Sequence, residues 1–192
     1  MRQATLDILD AALRSGHLHY TGASVTDRVQ FYRREFLCDP TRWAALYALI
    51  SQHAFTWHEF RFRDAVAHND LDTRIPSTAP GLYIFYVRPE NLVYHFPQLA
   101  LYIGISNATG SNRPLRTRLH DYMNLDRVRK RNNIHQMLQL YYDHIWVAFA
   151  HLSIPAAEMV QLETHIHDFL GPPFGRSAYS LPVKAAQSAW DV

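Results

Sequence analysis

Two short apolar runs, GLYIFYV at residues 81–87 and LYIGIS at 101–106, constrain the fold most, and each sets a tyrosine close to a glycine. Runs of this length bounded by turn-forming residues read as strands, expected over 81–88 and 100–106. The RPENLVYHFPQLA between them is too long for a two-residue hairpin turn. HIWVAFAHL, residues 144–152, has an alternating pattern of side chains and reads as a third strand. An α/β (α+β) chain follows.

Ahead of these strands the pattern is helical. Leu6, Leu9 and Leu13 share one helix face, and Ser24 with Asp27 makes a capping box before Val25, Val29, Tyr32 and Phe36. Asp39-Pro40 is a cap followed by a first-turn proline, opening a segment with Trp43, Leu46, Tyr47 and Ile50 on one face. HEFRFRDAVAHNDLD, 58–72, is expected as a fourth helix, and the two prolines of TRIPSTAP then end the pattern. The division expected is a helical N-terminal extension over 1–75 and a second domain over 76–192. Within that domain Pro114 opens a helix to Met123, a second helix covers 127–141, and Pro155 opens a third to Leu170, stopped by GPPFG.

Composition excludes several classes. The one cysteine, Cys38, rules out an internal disulfide and a cysteine-rich zinc site, and it points to a reducing, cytoplasmic setting. No window is long and apolar enough to cross a bilayer, and the acidic, amphipathic start argues against a targeting peptide. Phosphate-binding P-loops and Gly-x-Ser-x-Gly elbows are absent. His165 and His167 stand two apart on a helix, so they cannot chelate one metal together.

Charge is unevenly spread. Residues 113–131 hold Arg113, Arg116, Arg118, Arg127, Arg129, Lys130 and Arg131 against Asp121 and Asp126, a net of +5 in a chain whose total is +2. A basic strip on a mildly acidic body suits a polyanion binder, with a solvated helix face as the alternative. Within the strip, Leu115 and Leu119 mark a buried helix face bordered by Arg118 and Tyr122, which stack four residues apart. The planar fork of an arginine there can clamp a phosphate, or its methylenes can lie over the core. Glu163 sits in an apolar stripe with Met159, Ile166 and Leu170, a costly place for a carboxylate unless it is paired or coordinates a hard cation.

Taken in order, GLY (81–83), YIG (102–104), LRTRLHDYM (115–123) and LE (162–163) with PPF downstream resemble the GIY-YIG nucleases over residues 80–176. The resemblance implies a small domain whose three-stranded antiparallel sheet is flanked by helices and which cleaves phosphodiesters with one divalent metal. It also implies site roles for Tyr83, Tyr102, Arg118 and Tyr122, with Glu163 as the metal ligand. The expected function is a metal-dependent DNA endonuclease using Mg2+ or Mn2+, with restriction, host defence or a mobile element as its setting. The alternative is an inactive nucleic-acid-binding module of the same fold. Tyr83 is expected to take the proton of the attacking water, assisted by Tyr102, its pKa lowered by Arg118 and the metal. Arg113, Arg116, Arg127, Arg129, Lys130 and Arg131 are expected on DNA phosphates. Oligomeric state is open, with a homodimer among the alternatives. Two positions depart from the family: Ile105 stands where many relatives carry lysine, and Gly175 where many carry asparagine. Arg113 and Arg116 are the candidates to replace the lysine.

Overall fold

A computed structural model describes residues 40–88, 98–106, 113–175 and 178–190. The helices expected over 1–39 lie outside them. In chain order the elements are α1 (Pro40–Ile50), β1 (Trp57–Arg61), α2 (Phe62–His68), a single turn α3 (Leu71–Arg74), β2 (Gly81–Val87) and β3 (Leu99–Ser106). There follow α4 (Leu115–Met123), α5 (Leu125–Arg129), α6 (Asn132–Tyr141), β4 (Ile145–His151), α7 (Ala156–Leu170) and α8 (Leu181–Trp190). Among the described residues no helix is long and apolar enough to cross a membrane.

The sheet has four strands in the order β1-β4-β2-β3, and every pairing is antiparallel. The sequence leads to three; the fourth is β1, from the segment expected as helix. The reason lies in FRF. Phe60 is buried on the sheet while Trp57, His58 and Glu59 are exposed, and the chain turns helical only at Phe62. Five residues of an edge strand satisfy the free side of β4, an outcome local helical spacing does not reveal. The sheet therefore reaches across the division expected at residues 75–76.

Helices cover both faces. Period-two alternation sends Tyr83 and Phe85 of β2 to one side, with Val147 and Phe149 of β4 and Phe60 of β1, where Leu115, Leu119, Tyr122, Val128, Ile134 and Met137 close over them. Leu82, Ile103 and Ile105 face the other way, against Leu46 of α1 and Met159, Leu162 and Ile166 of α7. The helix expected over 127–141 is two helices. Asn124 starts α5 by accepting from the backbone N–H groups of Asp126 and Arg127, and Arg131 (φ −123°, ψ 85°) leaves helical geometry before α6. The last long helix ends as expected, at Gly171 in the left-handed region (φ 58°).

Candidate active site

The two tripeptide glycines have separate packing duties. Gly104 is the register partner of Tyr83 across β2 and β3. A Cβ on Gly104 would come within 2.5 Å of Tyr83 Cζ, so only glycine leaves room for that ring. On Gly81 a Cβ would collide with the Ala150 carbonyl, and the Gly81 N–H donates to Ser106 Oγ at 2.8 Å. Gly104 thus makes room for Tyr83, and Gly81 lets β2 close on β4.

Tyr83, Tyr102 and Tyr122 form a cluster. Ring centroids lie 6.3 Å apart for Tyr83 and Tyr102, 5.8 Å for Tyr83 and Tyr122, and 6.0 Å for Tyr102 and Tyr122. The Tyr83 and Tyr122 hydroxyls share a 2.7 Å hydrogen bond. Tyr83 is 0% exposed and Tyr122 3%, whereas Tyr102 is half-buried and forms the open side. Burial pushes the Tyr83 phenol well above its ordinary range, and Tyr102 adds to this; Arg118 and the Tyr122 hydrogen bond pull down more weakly. Burial raises Tyr122 as well. Of the two positive charges expected to lower Tyr83, Arg118 acting alone is outweighed by desolvation.

Arg118 and Glu163 complete the group. Both are half-buried. Burial opposes the charge on Arg118, but Tyr83, Tyr122, Tyr102 and Asp121 together hold it protonated. Burial lifts Glu163 to about 7, against a smaller opposite pull from Arg118. Among the described residues, no hydrogen bond or ion pair engages the Arg118 guanidinium or the Glu163 carboxylate. A cation and an anion, both partly desolvated, face the cluster without satisfying each other.

The other predicted cations divide. Arg113 and Arg127 both pair with Asp121, a carboxylate only 4% exposed. Arg116 lies 3.4 Å from Asp72, which also meets His120 at 3.0 Å. Neither candidate replacement for the lysine is thus drawn to the tyrosines. Arg131 is: its guanidinium lies 5.6 Å from the centroid of the Tyr122 ring. Arg129 and Lys130 are exposed.

The two departures gain physical reasons. Ile105 is buried on the opposite face of the sheet from Tyr83, so a lysine there would not reach the tyrosines from this backbone. A Cβ on Gly175 would stand 2.5 Å from His167 Nε2. His167, missed as a site residue, is 1% exposed and its Nδ1 lies 2.9 Å from the Glu163 carbonyl oxygen. Burial lowers its pKa, so the ring is neutral and donates that bond from Nδ1.

A hard divalent cation fits the donor set present. Glu163 offers one uncompensated carboxylate, and among the described residues no group of three or more His, Cys, Asp or Glu forms a closed cage. Mg2+ is commonly held by one or two carboxylates, with water and phosphate oxygens filling the remaining positions. No family model matches the chain, and no curated protein or solved structure matches it.

Proposed function

We propose that this protein is a metal-dependent DNA endonuclease that hydrolyses phosphodiester bonds. The observation that carries the reading is a pair: Arg118 and Glu163, half-buried, neither engaged in a hydrogen bond or ion pair among the described residues, and both acting electrostatically on Tyr83. A phosphodiester supplies what each lacks. Its anionic oxygens suit the planar donor fork of Arg118, and Glu163 would hold a Mg2+ or Mn2+ ion, which would supply Lewis-acid stabilisation of charge on the leaving oxygen.

The residues of the chain do the rest. Arg118 holds the phosphate and opposes the extra negative charge of the transition state. Tyr102, the tyrosine on the open side, meets and orients the attacking water; the water oxygen bonds to phosphorus as the bond from phosphorus to the leaving 3′ oxygen breaks, the water releasing one proton to solvent and the leaving oxygen taking one up. Tyr83 is enclosed, so its part is to fix the geometry behind Tyr102 with Tyr122 through their 2.7 Å hydrogen bond. This reverses the order of the two tyrosines expected from sequence. Sequencing the ends of a digested genome tests a restriction or defence role through the presence of a fixed cut site.

Cleavage of plasmid DNA with Mg2+ or Mn2+ is the decisive assay. Arg118→Ala and Glu163→Ala should each slow nicking by about a thousandfold while the far-ultraviolet circular dichroism stays native. Wild-type nicking by either purified variant would remove the assignment. The second reading, an inactive DNA-binding module, is favoured by the strongly raised Tyr83 and by His167 filling the space beside Gly175. Metal-independent DNA retention with no cleavage by the wild-type chain would select it.

A further inference from the structure

On a neighbouring strip of α4 lies a pocket of about 430 Å³, bordered by Arg113, Thr117, His120, Asp121, Asn124 and Arg127, with Met123 as an apolar wall. Thr117 and Asp121 each precede Arg118 and Tyr122 by one residue, which places this strip roughly 100° round the helix from theirs. The tyrosine cluster does not line it.

The wall chemistry is one-sided. Asp121 accepts at Oδ1 from Arg127 and from Arg113 Nη2 at 2.9 Å, and its Oδ2 lies 2.7 Å from Arg113 Nη1. One arginine would balance that carboxylate, so the second leaves a unit of positive charge in excess at a fixed place. Each guanidinium carries five N–H donors, more than Asp121 can take. Asn124 gives its oxygen to the backbone N–H groups of Asp126 and Arg127, and its amide donors remain. Thr117 adds an exposed hydroxyl. His120 is tied through Nε2 to Asp72 at 3.0 Å. A pocket whose carboxylate is already occupied and whose arginine, amide and hydroxyl groups can donate, beside the apolar Met123, takes an oxyanion.

We propose that this pocket is a phosphate subsite, filled by a backbone phosphate of the same DNA strand, beside the one held by Arg118. Asp121 is its positioning residue, because it aims both forks into the opening. The source of the phosphate rests on the nuclease reading; the donor-lined pocket does not. This assigns Arg113 and Arg127 a localised contact and sets them apart from Arg129 and Lys130, which do not line this pocket.

The test uses the full chain and a random-sequence duplex of about 20 base pairs, without divalent metal, with affinity measured by fluorescence anisotropy across a salt series. Thr117→Trp alters no charge and fills the pocket from an exposed helix position. It should weaken binding about tenfold and make the logarithmic salt slope shallower by about one. Arg127→Gln, at a side chain 52% exposed, should do the same, and the double variant should lose little more. Unchanged affinity and slope in Thr117→Trp would overturn the subsite, since a diffuse field ignores a neutral substitution. Inorganic phosphate followed by NMR separates the sources. Phosphate that shifts pocket resonances and competes with duplex in the wild type but not in Thr117→Trp supports a strand subsite. Phosphate binding alongside a duplex affinity that Thr117→Trp leaves untouched overturns it in favour of a free-anion site. Loss of the predicted cleavage with these binding results intact would sink only the nuclease reading.

Discussion

Asp121 and Glu163 are both carboxylates withdrawn from water, and the chain treats them in opposite ways. Asp121, on α4, is enclosed and clamped by Arg113 and Arg127. Glu163, on α7, is half-buried with no ion pair, and burial lifts it to about 7. A compensated carboxylate fastens structure; an uncompensated one is ready for a ligand. The same contrast runs through the arginines, because Arg113 and Arg127 sit in contact ion pairs with Asp121 while Arg118, which feels that carboxylate only at a distance, makes none among the described residues.

The comparison breaks first at Asp121. Asp121→Ala removes the anion that two arginines share, and it should cost about 3 kcal/mol of stability in urea denaturation. A cost below about 1 kcal/mol would mean that the clamp is not structural. Glu163→Gln should move the other way. Its carboxyl titrates higher folded than unfolded, so the folded chain holds an extra proton between about pH 4.5 and pH 7. Its contribution to stability is complete below the ordinary carboxyl value and is lost as pH rises through about 7. At about pH 8 the glutamine variant should therefore exceed the wild type by about 1–3 kcal/mol, and at about pH 4 the two should coincide. Mg2+ should raise the melting temperature of the wild type at the higher pH and leave the variant unmoved. Identical wild-type and variant profiles would show that Glu163 carries no desolvation cost. The smallest effect belongs to Arg116→Gln, whose partner Asp72 is 69% exposed. A change under about 0.5 kcal/mol is expected, and a larger one would show that burial is not what separates these ion pairs.

Much of the site was legible in the sequence because its signals are local. Glu163 stood out against an apolar stripe, and the glycine-tyrosine pairs stood on strands that the structure places side by side. Period two also predicted that Ile105 turns from Tyr102 and Gly104, a signal present and unused. Other features depend on neighbours distant in sequence. Asp121 looks like one more surface acid until Arg113 and Arg127 close on it, and His167 looks like a helix-end histidine until Gly175 packs on its ring. Tyr83 could be placed in a strand, but its enclosure required the helices α4 to α6. Strand β1 was lost for a similar reason: its hydrogen-bonding partner lies some ninety residues on, in β4.

The contact between Gly175 and His167 reaches further than its size suggests. His167 is fastened to the carbonyl of Glu163, one helical turn back, and its other edge leaves no space for a side chain at position 175. The segment after α7 is itself held to the sheet, where the Phe174 N–H donates to the Leu101 carbonyl at 3.0 Å. Position 175 is therefore a remote adjustment screw. Any side chain added there must displace the imidazole, and the imidazole is coupled to the turn that carries Glu163.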